Sequence, residues 1–328
     1  MQVVQLSQYG DVDVLEVVDR PAPQPEVGRV RVRVAARPVN PADLATRSGA
    51  IAAMVPGLTF PAVLGWDFAG TLLDDAPVAA GVTAPDASAG TLAVGTRVAG
   101  FVPWFGEALG AGSYAETIVV DPAWVAPVPD AVSDAEAAVL GMNAVTGAHA
   151  IDLLARLAGG ELEGATVLVT GASGAVGAAA VRDAVGRGAR VLAVGSADDD
   201  AFVAALGAEV LPRTDAAGIA TAARRAVPDG VDGVFNAGLA SHELLDAVRD
   251  GGVFVSATRG FMPEAARGVV VDGVHVEPDA PRLAGLLRDA ADGMLPARVA
   301  EQLPLADAAD AHCRLAKGGL RGKLVLAS

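Results

Sequence analysis

Residues 165 to 177 read A-T-V-L-V-T-G-A-S-G-A-V-G, and the rest of the chain is organised around this stretch. Its first half, from Thr166 to Thr170, is apolar and β-branched, which is typical of a strand buried on both faces. Glycines then turn the chain, and a helix-forming run follows from Ala178 to Val185. A helix N-terminus presents unpaired backbone N–H groups and the positive end of the helix dipole. This order of strand, glycine turn and helix therefore predicts a phosphate site.

The glycine spacing matches part of the dinucleotide fingerprint G-x-G-x-x-G. Ala172 stands where the first glycine is usual, while Gly174 would let the backbone approach a pyrophosphate and Gly177 would let helix and strand pack closely. A second strand from Arg190 to Gly195 completes a βαβ unit at the expected distance. The turn residues predicted to bind the cofactor are Gly171, Ala172, Ser173, Gly174, Ala175, Val176 and Gly177. The alternative is a turn with a structural role alone.

Length and composition indicate a soluble protein of two domains. The chain has 328 residues and is 52% hydrophobic, which supplies material for more than one core. A formal net charge of −15 argues against binding to nucleic acid or to an anionic membrane. The single cysteine, Cys313, excludes an intramolecular disulfide framework and any multi-cysteine metal site. Without a signal-peptide pattern at the start, we expect a cytoplasmic protein with no membrane partner.

Changes in composition and hydrophobic periodicity divide the chain into three segments. Residues 1–121 hold short strands of period two, such as Arg29 to Val34, separated by proline and glycine turns. Residues 122–260 begin with an alanine-rich stretch that is predicted to be helical, in which Ser133 and Glu136 have capping-box spacing. Residues 261–328 are predicted to return to the first domain, with Leu324 to Leu326 as a terminal strand.

Within the second segment, apolar strands alternate with helices. The predicted strands are Val167–Thr170, Val191–Gly195, Glu209–Leu211, Gly233–Asn236 and Val253–Ala257. Such alternation implies parallel pairing and a doubly wound sheet whose ligand lies at the carboxyl ends of the strands. The fold class is therefore α/β, with a doubly wound parallel Rossmann sheet beside a β-rich domain.

Further short motifs carry a family resemblance that extends over nearly the whole chain. They are V-N-P-A-D at residues 39–43, R-S-G at 47–49, G-W-D-F-A-G at 65–70, G-S-Y-A-E at 112–116 and G-G-L-R-G-K-L-V-L at 318–326. Together with the glycine turn, they resemble the medium-chain dehydrogenase/reductase superfamily, and within it the zinc-independent NADPH:quinone oxidoreductase (zeta-crystallin-like) group. The resemblance implies a chaperonin-10-like (GroES-like) catalytic domain, a Rossmann domain and a nicotinamide cofactor. It also implies a homodimer, for which Gly252 to Ala257 is the candidate edge strand.

The resemblance also allows a test for zinc. Zinc-dependent relatives carry a cysteine where this chain has Asn40, and a His-Glu pair where it has Trp66 and Asp67. Catalytic zinc needs three protein ligands and an open site, so no metal is predicted. Without a Lewis acid, the favoured reaction is hydride transfer to an acceptor that is already electrophilic, a quinone or an α,β-unsaturated carbonyl.

The resemblance places Asn40 and Asp43 on the nicotinamide side of the cleft and Thr146 near the nicotinamide or its ribose. An Asx-turn after Pro41 is the alternative explanation for Asp43. Quinone reductases of the group often have a tyrosine where this chain has Ala45, which opens the pocket.

Aromatic residues offer two further candidates. Phe101, Trp104 and Phe105 form either a wall of the substrate pocket or a cap on the β-domain core. Tyr114 is either a proton donor or, as in the family motif, structural.

The cofactor type is predicted from the end of the second Rossmann strand. Gly195 and Ser196 stand where an NAD site usually has a carboxylate, which favours NADPH over NADH. Ser196 would bond the 2′-phosphate, and Arg213, Arg321 or Lys323 would supply the positive charge. Asp198 to Asp200 are expected to cap a helix and point to solvent.

Ala237 and Thr258, which follow later strands, are predicted cofactor contacts. The competing hypothesis is a non-catalytic NADPH-binding redox sensor or crystallin-like protein, which Ala45 also supports.

Overall fold

The structure is a computed structural model that describes residues 1–83, 90–106, 110–238, 242–258 and 262–328. Its strands are β1 (Gln2–Leu6), β2 (Leu15–Asp19), β3 (Val30–Pro38), β4 (Ala62–Val63), β5 (Asp67–Leu72), β6 (Ala76–Pro77), β7 (Thr91–Leu92), β8 (Arg97–Phe101), β9 (Thr117–Val120), β10 (Val125–Pro127), β11 (Thr166–Thr170), β12 (Arg190–Val194), β13 (Glu209–Val210), β14 (Val231–Asn236), β15 (Val248–Ser256), β16 (Val270–Gly273), β17 (Val299–Pro304) and β18 (Lys323–Ala327). Its helices are α1 (Pro41–Ser48), α2 (Asp134–Ala158), α3 (Ala175–Gly186), α4 (Asp200–Ala205), α5 (Ala216–Ala226), α6 (Ala280–Ala291) and α7 (Ala308–Lys317).

The chain packs as two compact units. The first comprises residues 1–142, 277–292 and 296–328, and the second comprises residues 143–276 and 293–295. Both boundaries lie further along the chain than the changes of composition at 121/122 and 260/261. The first falls inside α2, next to Gly141, whose backbone angles are non-helical (φ −38°, ψ −108°).

The first unit is built on antiparallel strands. Among the described residues its main sheet has seven strands, in the order β10-β8-β5-β3-β18-β17 with β9 also paired to β3, and a smaller sheet runs β2-β1-β4. Strand β3 confirms the period-two prediction, since Val30, Val32 and Val34 are buried while Arg33 is exposed. Strand β18 pairs antiparallel with β3, so this strand lies in the main sheet of the first unit.

The second unit contains a parallel sheet of six strands in the order β13-β12-β11-β14-β15-β16. All five residues of β11 are buried, as the apolar run predicts for a central strand. Thr170 at the end of β11 is in register with Val194 of β12 and Asn236 of β14. The carboxyl ends of the three central strands therefore meet at one edge of the sheet, and the predicted doubly wound α/β fold is confirmed.

Strand order at one side of this sheet differs from the sequence prediction. Gly252 to Ala257 was expected to be an edge strand, but β15 pairs with β14 on one side and β16 on the other. The described edges are β13 and β16. Residues 270–273 thus belong to the Rossmann sheet, although the sequence placed the whole segment after residue 260 in the first domain. An apolar run predicts a strand, but it does not specify that strand's neighbours.

Helix α2 begins at the predicted capping box, which is confirmed. The Ser133 hydroxyl donates to Glu136 Oε2 at 2.6 Å, and the Ser133 amide donates to the same oxygen at 2.9 Å. Within the described residues, α2 is also long and apolar enough to cross a membrane by length and composition, but 78% of that window is buried inside the protein. Core helices of globular proteins have the same character.

Candidate functional site

Asp43 ties the start of α1 to the loop before β5. Its Oδ2 accepts from the backbone N–H of Asn40 at 2.8 Å, and its Oδ1 accepts from that of Gly65 at 3.0 Å. Asp43 is the third residue of α1 and bonds back to the residue before the helix, so its contacts are those of a helix cap rather than of an Asx-turn. Both Asn40 and Asp43 are buried.

The side-chain amide of Asn40 is held at both ends. Its Nδ2 donates to Asp67 Oδ2 at 2.6 Å, and its Oδ1 accepts from Lys323 Nζ at 2.6 Å. Because an ammonium can only donate, the lysine fixes which end of the amide is the oxygen. Asp67 Oδ1 accepts from the backbone N–H of Met142, just after the kink at Gly141. We call Asn40, Asp43, Asp67 and Lys323 the polar cluster.

The polar cluster combines two buried carboxyl groups with the ammonium group of the half-buried Lys323. Burial, with a smaller contribution from the nearby Asp67, raises the pKa of Asp43 to about 7 against the opposing effect of the backbone N–H donors and Lys323. Burial lowers the pKa of Lys323, and Asp67 and Asp43 counteract this by favouring the charged amine. The charge on each of these three groups therefore affects the pKa of the others.

Behind the polar cluster lies a buried pair of rings. The Tyr114 hydroxyl lies 3.1 Å from His312 Nε2, and neither residue is exposed to solvent. Burial lowers the pKa of His312 to about 3, so the imidazole is neutral. Burial and the nearby Asp43 raise the pKa of Tyr114. A fully buried phenol bonded to a neutral histidine fits the structural alternative for Tyr114.

The aromatic residues of the loop after β8 divide between the two roles predicted for them. Phe101 and Trp104 are buried, and Trp104 Nε1 donates to the Val63 carbonyl at 2.8 Å, so both belong to the core. Phe105 is 42% exposed and packs edge-on against Trp66, with ring centroids 4.6 Å apart. Only Phe105 remains a candidate for a pocket wall.

In the second unit, the turn between β11 and α3 has the geometry of a phosphate site. Gly171 has φ +66°, and a Cβ at Gly177 would lie 2.2 Å from the Gly171 carbonyl oxygen, so both positions require glycine. Gly174 caps α3 without any side-chain hydrogen bond to the helix. The first-turn N–H groups, from Ala175 onward, are therefore not satisfied by a capping side chain and fit an anionic ligand.

Other predicted cofactor residues converge on this turn. Ser173 Oγ accepts from the Ser196 amide at 3.3 Å, and Gly195 lies close enough that an added Cβ would be 3.2 Å from Ser173 Cβ. A Cβ at Gly171 would lie 3.1 Å from the Ala237 carbonyl carbon. Ala172 is fully buried. Its backbone N–H donates to the Val194 carbonyl oxygen, which ties the turn to the end of β12. Val176 and Ala175 form the first turn of α3.

The remaining predicted residues are more scattered. Thr146 is on α2, where a Cβ at the neighbouring Gly147 would lie 2.2 Å from the Val176 carbonyl oxygen, so this part of α2 packs on the start of α3. Thr258 is exposed after β15. Arg213 is exposed after β13, at the same sheet edge as Ser196, because β12 and β13 pair in parallel. Lys323 is bonded to Asn40 in the first unit, which groups it with the catalytic candidates.

Two features of this region differ from or add to the sequence prediction. Asp199 is 3% exposed, so the run Asp198 to Asp200 does not point to solvent throughout. Asn236, not chosen from the sequence, ends β14 with its Oδ1 accepting from Thr170 Oγ1 at 2.6 Å. Its buried Nδ2 has no partner among the described residues. The sequence did carry a signal for Asn236, since it is a polar residue at the end of an otherwise apolar strand.

Comparison with known proteins agrees with this fold. The family models for the alcohol dehydrogenase GroES-like domain and the zinc-binding dehydrogenase match residues 26–130 and 206–326 respectively. The solved structure of mycobacterial Rv1454c complexed with NADPH is 27% identical, with a TM-score of 0.74 and 100% of both chains covered. The chain belongs to the medium-chain dehydrogenase/reductase superfamily.

Two curated relatives match this chain over part of their own length. The chain is 30% identical over 345 positions to a phenolphthiocerol/phthiocerol polyketide synthase protein of Mycobacterium tuberculosis, a match that covers 98% of this chain and 14% of that protein. It is 33% identical over 214 positions to a chloroplast envelope quinone oxidoreductase homolog of Arabidopsis thaliana, covering 64% of this chain and 60% of that protein. The chain thus spans less than two thirds of the length of either relative.

The residues present do not fit the zinc ion that many members of the superfamily bind. At the three relevant positions stand Asn40, Trp66 and Asp67. An indole offers no metal-binding atom, and the Asn40 amide is already shared between Asp67 and Lys323. The Lys323 ammonium would also repel a divalent cation. Within the described part of the chain, no three His, Cys, Asp or Glu side chains are grouped to hold a metal.

Proposed function

We propose that this member of the superfamily transfers a hydride from NADPH to a quinone or an α,β-unsaturated carbonyl compound without zinc. The observation that carries the proposal is the contact between Lys323 and Asn40, which puts an ammonium group where zinc-dependent relatives place ligands for a metal. An alcohol must lose a proton to give up a hydride, and zinc stabilises the alkoxide that results. An electrophilic acceptor avoids that requirement.

The second unit offers this cofactor a set of matched groups. Backbone N–H groups at the start of α3 would bind the diphosphate, with Gly174 allowing close approach. Asn236, whose Nδ2 has no partner among the described residues, ends β14 in register with Thr170, and a Cβ at Gly171 would lie 3.1 Å from the Ala237 carbonyl carbon. NADPH, when bound, supplies the hydride. The protein's part is to hold it in one orientation and keep water away.

Support for NADPH over NADH comes from the ends of β12 and β13. Ser196 follows β12 without a carboxylate side chain at that point, and Arg213 follows β13 at the same edge of the sheet. A hydroxyl and a guanidinium suit a 2′-phosphate, whereas a carboxylate would suit the free ribose hydroxyls. The superfamily member Rv1454c, which binds NADPH in its solved structure, supports the same choice.

Cofactor titration tests this assignment. Arg213→Gln is expected to weaken NADPH binding by about tenfold, since a guanidinium–phosphate contact contributes on the order of 1.5 kcal/mol, and to leave NADH binding unchanged. Arg225→Gln, on the exposed face of α5, is the matched control. Equal effects on the two coenzymes, or none on NADPH, would contradict the role of Arg213.

Turnover tests the reaction itself. Purified protein mixed with NADPH and a panel of quinones and enones should lose nicotinamide absorbance with at least one acceptor, and a strong zinc chelator should not change the rate. A rate that follows zinc content would overturn the metal-free reaction. Tight NADPH binding without turnover of any acceptor would instead indicate a redox sensor, the hypothesis that Ala45 also favours.

A further inference from the structure

Lys323 is unusual for this chain. Of the 24 lysine and arginine residues, only Lys317 and Lys323 are lysines. Lys317 is exposed at the end of α7, whereas Lys323 is largely withdrawn from solvent at the start of β18. An arginine would carry a charge here permanently, but a lysine in a buried site also gives up its proton readily.

The Lys323 ammonium has more N–H donors than it uses within the described structure. It carries three N–H groups, of which one is bonded to Asn40 Oδ1 at 2.6 Å. Among the described residues, no other acceptor bonds the ammonium. The ammonium therefore has N–H groups available to donate a hydrogen bond to an oxygen atom of a ligand.

Neighbouring groups keep this ammonium charged and in place. Asp67 and Asp43 favour the charged amine, and Tyr114 is the further titratable group that interacts with Asp43. Asn40 fixes the position of Nζ, and Asp67 in turn fixes the Asn40 amide. Burial makes the proton easier to lose than that of an exposed lysine.

We propose that Lys323 is a catalytic residue that donates a hydrogen bond to the acceptor's carbonyl or quinone oxygen and then protonates it, with Asn40 and Asp67 as positioning residues. This inference rests on the proposed function. As the acceptor carbon gains the hydride with its two electrons, a π pair moves onto the oxygen. The O–H bond forms as the Nζ–H bond breaks, and the neutral amine takes a proton from water. The net change consumes NADPH and one proton, oxidises the cofactor and reduces the acceptor by two electrons.

The kinetic test compares Lys323→Met with Lys317→Met. General acid catalysis contributes roughly 10²–10⁴-fold, so Lys323→Met should lower kcat/KM by about 10²-fold or more while NADPH affinity stays within about twofold. Lys317→Met should match the wild type. Far-UV circular dichroism and thermal melting establish that each variant is folded. A Lys323→Met protein with wild-type kinetics overturns the inference.

Chemical rescue separates catalysis from a structural role. Primary amines added to Lys323→Ala should restore turnover, with a rate that varies with the pKa of the amine, because the added ammonium replaces the lost donor. A lysine that merely holds Asn40 in place predicts no dependence on amine pKa. Rescue that is absent, or independent of amine pKa, therefore overturns the role as proton donor.

A readout without turnover uses the fact that the chain has two lysines. Competitive acetylation of the cofactor-free protein across a pH series, read by peptide mass, gives a titration midpoint for each amine. The Lys323 midpoint should lie below the ordinary value for a lysine amine, and a midpoint at or above that value overturns the inference. If the wild type reduces no acceptor, the proposed function falls and this inference with it. If the wild type is active and Lys323→Met is equally active, only this inference falls.

Discussion

At the scale of single residues, Asp43 couples the stability of the first unit to pH. Burial raises its pKa from 3.8 to about 7, so the folded protein holds a proton that the unfolded chain releases. Between pH 4 and 7 the unfolded state is therefore increasingly favoured as pH rises. By proton linkage this lowers the free energy of unfolding by at most about 1.4 kcal/mol per pH unit across that window.

Urea unfolding of Asp43→Asn at pH 5 and pH 7.5 checks this prediction. The variant lacks the titrating group, so its stability should fall less than that of the wild type as pH rises. Its single acceptor oxygen cannot serve both Asn40 and Gly65, so we expect a loss of about 1–3 kcal/mol at pH 5. Asp13→Asn, at an exposed carboxylate, should follow the wild-type profile. Parallel pH profiles for wild type and Asp43→Asn would refute the coupling.

The family resemblance pointed to part of the polar cluster. Asn40 and Asp43 were chosen because they belong to one short motif of the family, whereas Lys323 was assigned to the cofactor phosphate and its bond to Asn40 was not predicted. Asn40 and Lys323 are 283 positions apart, and a lone lysine in a sequence shows its charge without its partner. Its predicted contact with a cofactor phosphate is a reasonable inference from charge. The antiparallel pairing of β18 with β3, which brings Lys323 to Asn40, is not visible in any local pattern.

At the scale of elements, the turn from β11 into α3 requires glycine at one position and not at another. A Cβ at Gly177 would lie 2.2 Å from a backbone oxygen that cannot move aside, whereas nothing lies within 4 Å of a Cβ at Gly186 in the same helix. Gly177→Ala should destabilise the protein by about 1–3 kcal/mol and weaken NADPH binding by tenfold or more. Gly186→Ala should stabilise it by about 0.5–1 kcal/mol, because alanine favours helix.

Thermal unfolding and fluorescence titration with NADPH check both variants. A Gly177→Ala protein as stable as the wild type and with unchanged affinity would show that the turn relaxes without cost and that its close packing is unimportant. Gly186→Ala controls for the general effect of alanine on α3, since both glycines occupy the same element.

Elements defined by local chemistry were predictable. The apolar run of β11, the glycine turn and the Ser133–Glu136 capping box all depend on residues within a few positions of one another, and each is confirmed. The kink at Gly141 was not predicted. A glycine inside an apolar helix is tolerated in many proteins, and here the kink follows from contact with Asp67. A Cβ at Gly141 would lie 2.5 Å from Asp67 Oδ1.

At the scale of the whole molecule, alternation of strands and helices predicted a parallel sheet but not its complete order. Right-handed crossovers limit the possible arrangements without deciding which strand is outermost. The sixth strand, β16, lies after residue 260, in the segment that sequence reasoning assigned as a whole to the first domain. Sequence reasoning therefore placed the edge one strand too early. This matters for assembly, since an unpaired edge can pair with a second copy.

We propose that the chain forms a homodimer through β16, and the prediction follows from its exposed edge. Val270 begins this strand and is 43% exposed. Two-fold pairing of β16 with its copy would bury Val270 on both sides, so Val270→Asp would place like charges together at a cost of several kcal/mol. We expect the dissociation constant to rise by about 10²-fold or more. Val27→Asp, at a fully exposed valine in the first unit, is the control and should leave assembly unchanged. Light scattering after gel filtration over a range of concentrations distinguishes the cases. A wild-type protein that is monomeric throughout, or a Val270→Asp protein that stays dimeric, would rule out pairing through β16.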